Sequence, residues 1–262
     1  MQNFGEAIRR LLRDSTAAGL DIDDAETTTK RRALIQSKSF LRRLYDEWYQ
    51  LIAAELPPLP HALLEIGSGG GFIASAIPRV ITSDVLQVSG VNVVLDAAVL
   101  PFCDSSLRGV VMTNVLHHLP NVTAFFSEAA RCIRPGGMLV MVEPWVTPWS
   151  RLIYGSLHHE PFDPDASTWI GTPGRPLSEA NGALPWIVFE RDRKKFTSDF
   201  PGLRLHSIRP IMPLRYLLSG GVSLRQLMPD WTYRFWSRID RGLVRISPAT
   251  AMFAVIVVRR TE

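Results

Sequence analysis

A glycine-rich run in the first half of the chain has residue types that could bind a ligand. Residues 63–72 read Leu-Leu-Glu-Ile-Gly-Ser-Gly-Gly-Gly-Phe, an apolar strand followed by a turn. Glycine allows such a turn to bring backbone amides close to a ligand, although a tight turn can also be purely structural. The dinucleotide-binding form requires a third glycine where Phe72 stands, which argues against a nicotinamide cofactor.

Further polar residues follow at the ends of later apolar runs. Asp84 ends one run, where a carboxylate can accept hydrogen bonds from both ribose hydroxyls, or can serve as a turn or cap residue. Asp96 and Ala97 begin a loop after the next run, and Asn114 precedes the sequence Leu-His-His-Leu at 116–119. Because open α/β sheets bind ligands beyond the carboxyl ends of their strands, these residues are candidates for one site.

Alternating strands and helices are required to position these residues. The apolar pattern predicts helices at 72–77 and 122–133, with Pro135, Gly136 and Gly137 closing the second, and a short helix around 191–200. It predicts strands at 61–66, 80–84, 92–96, 110–113, 138–142, 203–209 and 251–259. Strands that are apolar at nearly every position indicate a mostly parallel, doubly wound α/β sheet covered on both faces.

The remaining segments are interpreted as additions to this core. Residues 1–56 contain amphipathic helices and are expected to form a helical lid, whereas residues 57–262 form the main domain. Residues 144–189 are predicted as an insertion after strand five, and 210–248 as an irregular apolar and basic excursion.

Composition restricts the class of protein. The 262 residues carry a net charge of +4, with 14 Arg or Lys against 6 Asp or Glu in residues 190–262. No apolar stretch approaches the roughly 20 residues of a membrane-spanning helix, and the early charges do not resemble a secretory signal, so we expect a cytoplasmic protein. Cys103 and Cys132 form no metal-ligand pattern and are expected to be buried, reduced thiols.

Residues 62–144 resemble the core of the class I S-adenosylmethionine-dependent methyltransferases, in the methyltransferase-11-like branch with the Leu-His-His-Leu signature. The resemblance covers about a third of the chain and depends on five signals in the right order. It implies a seven-stranded Rossmann-like sheet, S-adenosyl-L-methionine as cofactor and methyl transfer as activity. The short distance from Asp84 to Asn92 departs from the family pattern, because it leaves little room for the usual second helix.

The resemblance also assigns roles to individual positions. It implies that the carboxylate of Asp84 binds the ribose, that Asp96 and Ala97 contact the adenine, and that Asn114 and His117 border the cofactor near its methyl group. The positions expected to hold the methionine portion of the cofactor are Glu65, Gly67, Ser68, Gly69 and Gly71.

A general base is expected if the acceptor atom is oxygen, which is the acceptor we favour. The candidate catalytic residues are His117 and His159, with His118, His158 and Glu160 as neighbours. Each histidine could instead be structural. A metal site at His158-His159-Glu160 lacks a further ligand pattern, so we predict no metal.

The acceptor is expected to be a small molecule or a lipid-linked saccharide. Arg204, Arg209, Arg215 and Arg225 lie among apolar residues and could bind an anionic group, with possible contact to the inner membrane surface, or could form a solvated basic face. Nucleic acid is disfavoured, since no dense basic stripe carries stacking aromatics. The alternatives to an active methyltransferase are a cofactor-binding, non-catalytic partner protein and a nicotinamide-dependent oxidoreductase, and the oligomeric state is left open.

Overall fold

A computed structural model describes residues 25–157, 161–171 and 180–261. Two consecutive helices, α1 (Ala25–Ser37) and α2 (Ser39–Glu55), lead into the sheet. Among the described residues, the other α-helices of five residues or more are α3 (Val122–Cys132), α4 (Pro148–Leu157), α5 (Arg193–Asp199), α6 (Arg215–Ser219) and α7 (Tyr233–Ile246). The strands are β1 (Ala62–Ile66), β2 (Val80–Asp84), β3 (Val93–Val94), β4 (Leu107–Thr113), β5 (Ile133–Pro144), β6 (Leu203–Ile211) and β7 (Phe253–Arg260).

The seven strands form one sheet in the order β3-β2-β1-β4-β5-β7-β6. The pairs among β1 to β5 are parallel, while β7 runs antiparallel to both β5 and β6. The chain order reverses between β1 and β4, which makes the carboxyl ends of these two strands the switch point where open sheets bind ligands. The predicted fold, a mostly parallel seven-stranded α/β sheet, is thereby confirmed.

Side chains that alternate along the strands build a core on each face of the sheet. Leu64, Val110 and Leu139 belong to one core, which α3 and α5 cover with Phe125, Phe126 and Phe196. The neighbouring residues Leu63, Val111 and Val140 belong to the other core, which α2 and α7 cover with Phe40, Trp48 and Tyr233. This alternation follows from the two-residue period of a strand, and it places α5 and α7 on opposite faces.

The helix predicted at 72–77 is wrong in extent, because only Ile73–Ser75 form a short 3-10 turn. Pro78 disfavours a helical conformation at the residue before it and so limits the segment. Within the described residues, no helix joins β2 to β3, as the short spacing after Asp84 indicated.

The C-terminal additions contain more regular structure than expected. The predicted insertion at 144–189 includes α4, and the predicted irregular excursion at 210–248 includes the four-turn helix α7. The expectation that both cysteines are buried is wrong for Cys103, which is exposed, while Cys132 is buried. Among the residues described, no helix has the length and apolar character needed to cross a bilayer.

Candidate active site

The glycine-rich turn after β1 depends on glycine at two positions for different reasons. Gly67 has φ +67°, and a Cβ atom there would lie 2.5 Å from Cγ2 of Val115. Gly71 has no such dihedral, but its Cβ would lie 2.6 Å from the hydroxyl oxygen of Tyr49. The Tyr49 hydroxyl in turn accepts a hydrogen bond of 3.0 Å from the backbone amide of Phe72. The turn is therefore fixed between α2 and the segment that follows β4.

Buried hydrogen bonds connect the end of β1 to the end of β2. The Ser68 hydroxyl donates to the carboxylate of Glu65, and the Ser83 hydroxyl donates to the Glu65 carbonyl at 2.7 Å. The Ser68 amide donates to the Ser83 carbonyl at 2.8 Å. Burial raises the pKa of Glu65 to about 7, the Ser68 hydrogen bond opposes this shift, and the charge of Asp84 adds to it. Glu65 is therefore an acid whose ionisation changes near neutral pH.

Asp84 contacts the glycine-rich turn directly, and Asp96 follows a residue that is hydrogen-bonded to the Asp84 backbone. One Asp84 oxygen accepts from the Gly69 amide at 2.8 Å, and the other accepts from the Leu86 amide at 2.9 Å. The backbone carbonyl of Asp84 accepts from the amide of Leu95, the residue before Asp96. Asp96 is exposed and accepts from the Ala98 amide at 2.8 Å, whereas Ala97 is buried. Since a carboxylate can accept about four hydrogen bonds, Asp84 retains capacity for donors from a ligand.

Asn114 occupies the end of β4 in a strained backbone conformation. Its φ is +56°, which is uncommon outside glycine, and its amide donates to the Val142 carbonyl at 2.9 Å. Its side-chain oxygen Oδ1 is buried and accepts no hydrogen bond from any described residue. Beside it, burial raises the pKa of Tyr45 to about 12, against the charge of Arg31 and a hydrogen bond from Asn114. At neutral pH the Tyr45 hydroxyl is therefore protonated and able to donate.

His117 is buried and bound to an acid that the sequence analysis did not single out. Its Nδ1 lies 2.6 Å from Oε2 of Glu143, and the His117 side chain is 3% exposed. The other Glu143 oxygen accepts from the amides of Val115 and Leu116, both at 2.8 Å. Because an ionised carboxylate can only accept, Nδ1 is the donor in the bond to Glu143. Glu143 thus fixes both the loop and the orientation of the histidine.

Helix α1 lies against the glycine-rich turn through Arg32. Its guanidinium donates to the Gly69 carbonyl at 2.9 Å and to the Ser89 carbonyl at 2.6 Å. One arginine thereby bridges the loops after β1 and β2, which flank Asp84. This contact, together with Tyr45 and Tyr49 of α2, shows that both N-terminal helices line the site.

The remaining candidates are either outside the described residues or outside this cluster. His158, His159 and Glu160 lie outside the described residues. Arg215 was one of four arginines that could bind an anionic group or form a basic face, but its guanidinium is occupied by Glu47 at 2.6 and 2.8 Å and by Asp240 at 2.7 Å. Residues 25–157, 161–171 and 180–261 contain no group of three His, Cys, Asp or Glu that could hold a metal ion.

The known proteins that this chain is similar to in sequence are methyltransferases. Residues 64–141 match the model of a family described as a methyltransferase domain. An uncharacterised methyltransferase of Mycobacterium sp. strain KMS is 29% identical over 122 residues, which cover 41% of this chain and 48% of the relative. A further relative from Mycobacterium tuberculosis strain H37Rv is 24% identical over 149 residues, covering 50% and 59%. The match therefore spans about half the length of these curated relatives.

Solved structures agree with the fold over a longer part of the chain. Geranyl diphosphate C-methyltransferase from Streptomyces coelicolor, crystallised with Mg2+, geranyl diphosphate and S-adenosyl-L-homocysteine, superposes with a TM-score of 0.51 at 14% identity over 98% of both chains. A Haloferax volcanii protein in complex with the Trm112 methyltransferase activator gives 0.52 at 14% identity over 88% of this chain and 97% of that one. The sheet order and the match at 64–141 together support the resemblance of this chain to the class I S-adenosylmethionine-dependent methyltransferases.

Proposed function

We propose that this protein transfers a methyl group from S-adenosyl-L-methionine to oxygen of a small-molecule, sugar or lipid-linked acceptor. The observation that carries the proposal is the convergence of the glycine-rich turn, Asp84, the Asp96 loop and Asn114 at the carboxyl ends of β1 to β4. In the same proposal the reaction takes place in the cytoplasm or at the inner membrane surface.

The residues at this edge fit the cofactor. A buried amide oxygen without a donor costs about 1–3 kcal/mol, and a ligand amine or hydroxyl near Asn114 would remove that cost. Asp84 and Glu65 provide carboxylates suited to hydroxyl and ammonium groups. When bound, the cofactor supplies a methyl group on a positively charged sulfur, which reacts as the electrophile.

The chain itself has to orient two reactants and exclude water. Glu65 and Asp84 are proposed to hold the methionine and ribose parts, while Asp96 and Ala97 border the adenine. Tyr45 would donate a hydrogen bond rather than accept a proton, because burial raises its pKa to about 12. Positioning of this kind can contribute on the order of 7–11 kcal/mol to the lowering of the barrier.

The general base is proposed to be one of the two histidines predicted from the sequence. For His117, the bond to Glu143 leaves Nε2 as the basic nitrogen, although the ring is buried. For His159, we expect His159→Ala to slow methyl transfer without weakening cofactor binding. Steady-state rates and titrations on this variant test the assignment, and unchanged turnover with the true acceptor would remove His159 from the mechanism.

Calorimetric titration tests the cofactor assignment directly. We expect wild-type protein to bind S-adenosyl-L-methionine and not NADH. Asp84→Asn should weaken binding roughly 10- to 150-fold, since hydrogen bonds to a charged group contribute about 1.5–3 kcal/mol. The matched control is Asp104→Asn, because Asp104 is 78% exposed and paired with Arg131 away from the turn. Binding of NADH, or equal losses in the two variants, would contradict the proposal.

A further inference from the structure

Helix α7 presents four arginines in one line. Arg234, Arg238, Arg241 and Arg245 are all exposed and are spaced by four, three and four residues. At 100° per residue they fall within an arc of about 60°, and the line extends for about 16 Å along the helix. None of the four makes a hydrogen bond or ion pair with another described residue. Within the described residues the line is therefore a row of exposed positive charge, of which Arg241 also acts at longer range on the Glu47 carboxylate.

An apolar stripe runs beside the arginines on the same helix. Phe235 is 57% exposed and Ile246, 11 residues later, is 85% exposed. Trp231, which is 81% exposed, precedes Phe235 by four residues, and Leu227 in the preceding loop is 43% exposed. The centre of the stripe lies about 100° around the helix from the centre of the arginine row.

The third face of α7 fixes the helix to the protein. Tyr233, Ser237 and Asp240 are buried, and Asp240 accepts a hydrogen bond of 2.7 Å from Arg215. Asp240 is the only acidic residue in the helix, so no carboxylate of α7 offsets the exposed arginines. Asp230, beside Trp231, is ion-paired with Arg43 at 3.0 Å. Because the third face of α7 is buried, the arginine row and the apolar stripe both face the solvent.

We propose that this face of α7, with Trp231, docks on a bilayer surface that contains anionic lipid. Such a surface places negative head groups directly above an apolar layer, and the adjacent arginine and apolar stripes match both layers. Arginine stems can lie along the apolar boundary while their guanidinium groups reach the head groups. A single-stranded nucleic acid would match the arginines and the aromatic rings, but it offers nothing apolar to Ile246 and Leu227.

Vesicle sedimentation tests the charge component. Wild-type protein should sediment with vesicles of 30% phosphatidylserine and 70% phosphatidylcholine in 0.1 M salt, and much less with phosphatidylcholine alone. Arg238→Gln with Arg245→Gln should weaken partitioning roughly 30-fold, from about fivefold for each arginine. The matched control is Lys194→Gln with Arg79→Gln, which removes the same charge from exposed positions outside α7, one on α5 and one just before β2. It should bind nearly as well as wild type.

A second pair of variants tests the apolar component. Phe235→Ser should weaken partitioning about tenfold or more, whereas Ile170→Ser, at a position that is 61% exposed elsewhere, should not. Circular dichroism and thermal melting identify any variant that fails to fold. If Phe235→Ser does not fold, the Arg238→Gln, Arg245→Gln variant still tests whether α7 binds the vesicles.

Several results would overturn the proposal. One is that wild-type protein does not sediment with anionic vesicles. Another is that the α7 arginine pair and the control pair lose vesicle binding equally. A third is that the α7 variants change only RNA binding or the mass measured by sedimentation equilibrium. Because vesicle binding requires no cofactor, failure here is distinguishable from failure of the S-adenosyl-L-methionine titration.

Discussion

The ionisation of Glu65 should make cofactor affinity depend on pH. Burial raises the pKa of this carboxyl to about 7, with the Ser68 hydrogen bond and the Asp84 charge acting in opposite directions. S-adenosyl-L-methionine carries positive charge, so we expect it to bind the ionised form of Glu65. With a pKa near 7, roughly 0.9 of Glu65 is ionised at pH 8 and roughly 0.09 at pH 6. Affinity should therefore fall about tenfold as pH falls from 8 to 6.

Calorimetric titration at pH 6, 7 and 8 measures this effect, with Glu65→Gln as the matched variant. The ratio of the wild-type to the variant association constant isolates the Glu65 carboxyl from any titration of the cofactor itself. At pH 7 wild-type binding should release about half a proton from Glu65, which two buffers of different ionisation enthalpy reveal. If the ratio of the two constants does not change between pH 6 and 8, the reasoning about Glu65 is refuted.

The same pKa shift predicts the opposite trend for the stability of the cofactor-free protein. The folded pKa of Glu65 is raised above its unfolded value, so between about pH 4.5 and 7 the folded state binds more protons. The free energy of unfolding should therefore decrease as pH rises through this range, by at most about 3 kcal/mol from Glu65. Urea unfolding of wild type and Glu65→Gln measures the difference, and an identical decline in both would exclude Glu65 as its source.

Two further predictions test the turn and the buried ion pairs. Gly67→Ala should lower stability by about 2 kcal/mol or more and weaken cofactor binding, because φ is +67° and Val115 leaves no space for a Cβ atom. Gly242→Ala, at a helical position with open space, should instead stabilise by about 0.5–1 kcal/mol, and urea unfolding compares the two. Arg215→Met should cost about 3–5 kcal/mol because it leaves the buried carboxylate of Asp240 and the partly buried carboxylate of Glu47 unpaired, whereas Glu190→Gln, at an exposed ion pair, should cost less than about 1 kcal/mol. If Arg215→Met and Glu190→Gln lower the melting temperature equally, the larger contribution of the Arg215 ion pairs to stability is contradicted.

The sheet and the turn could be predicted because their signals are local. Strand β2 matches its predicted range at 80–84, since an apolar run ending in an acid is visible without any tertiary information. The helix α7 was missed although its sequence carries a helical period, both in its arginines and in the apolar residues Trp236, Ile239 and Leu243. A search for charged residues at spacings of three and four would have found it.

The parts of the site that were missed come from residues distant in sequence. Tyr45 and Tyr49 are four residues apart on α2, a spacing equally typical of aromatic core packing. Arg32 reaches the Gly69 carbonyl 37 residues away, and no local pattern specifies such a contact. Glu143 carried a weak signal, since an acid at the end of an apolar strand requires a partner. Its partner, His117, becomes apparent only when β4 and β5 are paired.

The two N-terminal helices differ in how firmly they are attached, which has consequences for cofactor entry. Helix α2 presents Tyr45 and Tyr49 to the site, and Glu47 lies about 200° around the helix from each of them. The Glu47 carboxylate binds Arg215 and accepts from the Tyr233 hydroxyl at 2.9 Å, and although burial alone would raise the pKa of Glu47, these partners hold it lowered. Moving α2 would break this pair at a cost of about 3–5 kcal/mol.

Arg32 of α1 donates one hydrogen bond to the Gly69 carbonyl of the glycine-rich turn and one, exposed to solvent, to the Ser89 carbonyl after β2. Exchange of such bonds for bonds to water costs about 0.5–1.5 kcal/mol each. This is less than the cost of breaking the ion pair between Glu47 of α2 and Arg215. We therefore expect Tyr45 and Tyr49 of α2 to be in place before the cofactor binds, and α1 to be displaced more easily than α2. Hydrogen exchange should accordingly be faster in α1 than in α2, and cofactor binding should slow it chiefly in α1.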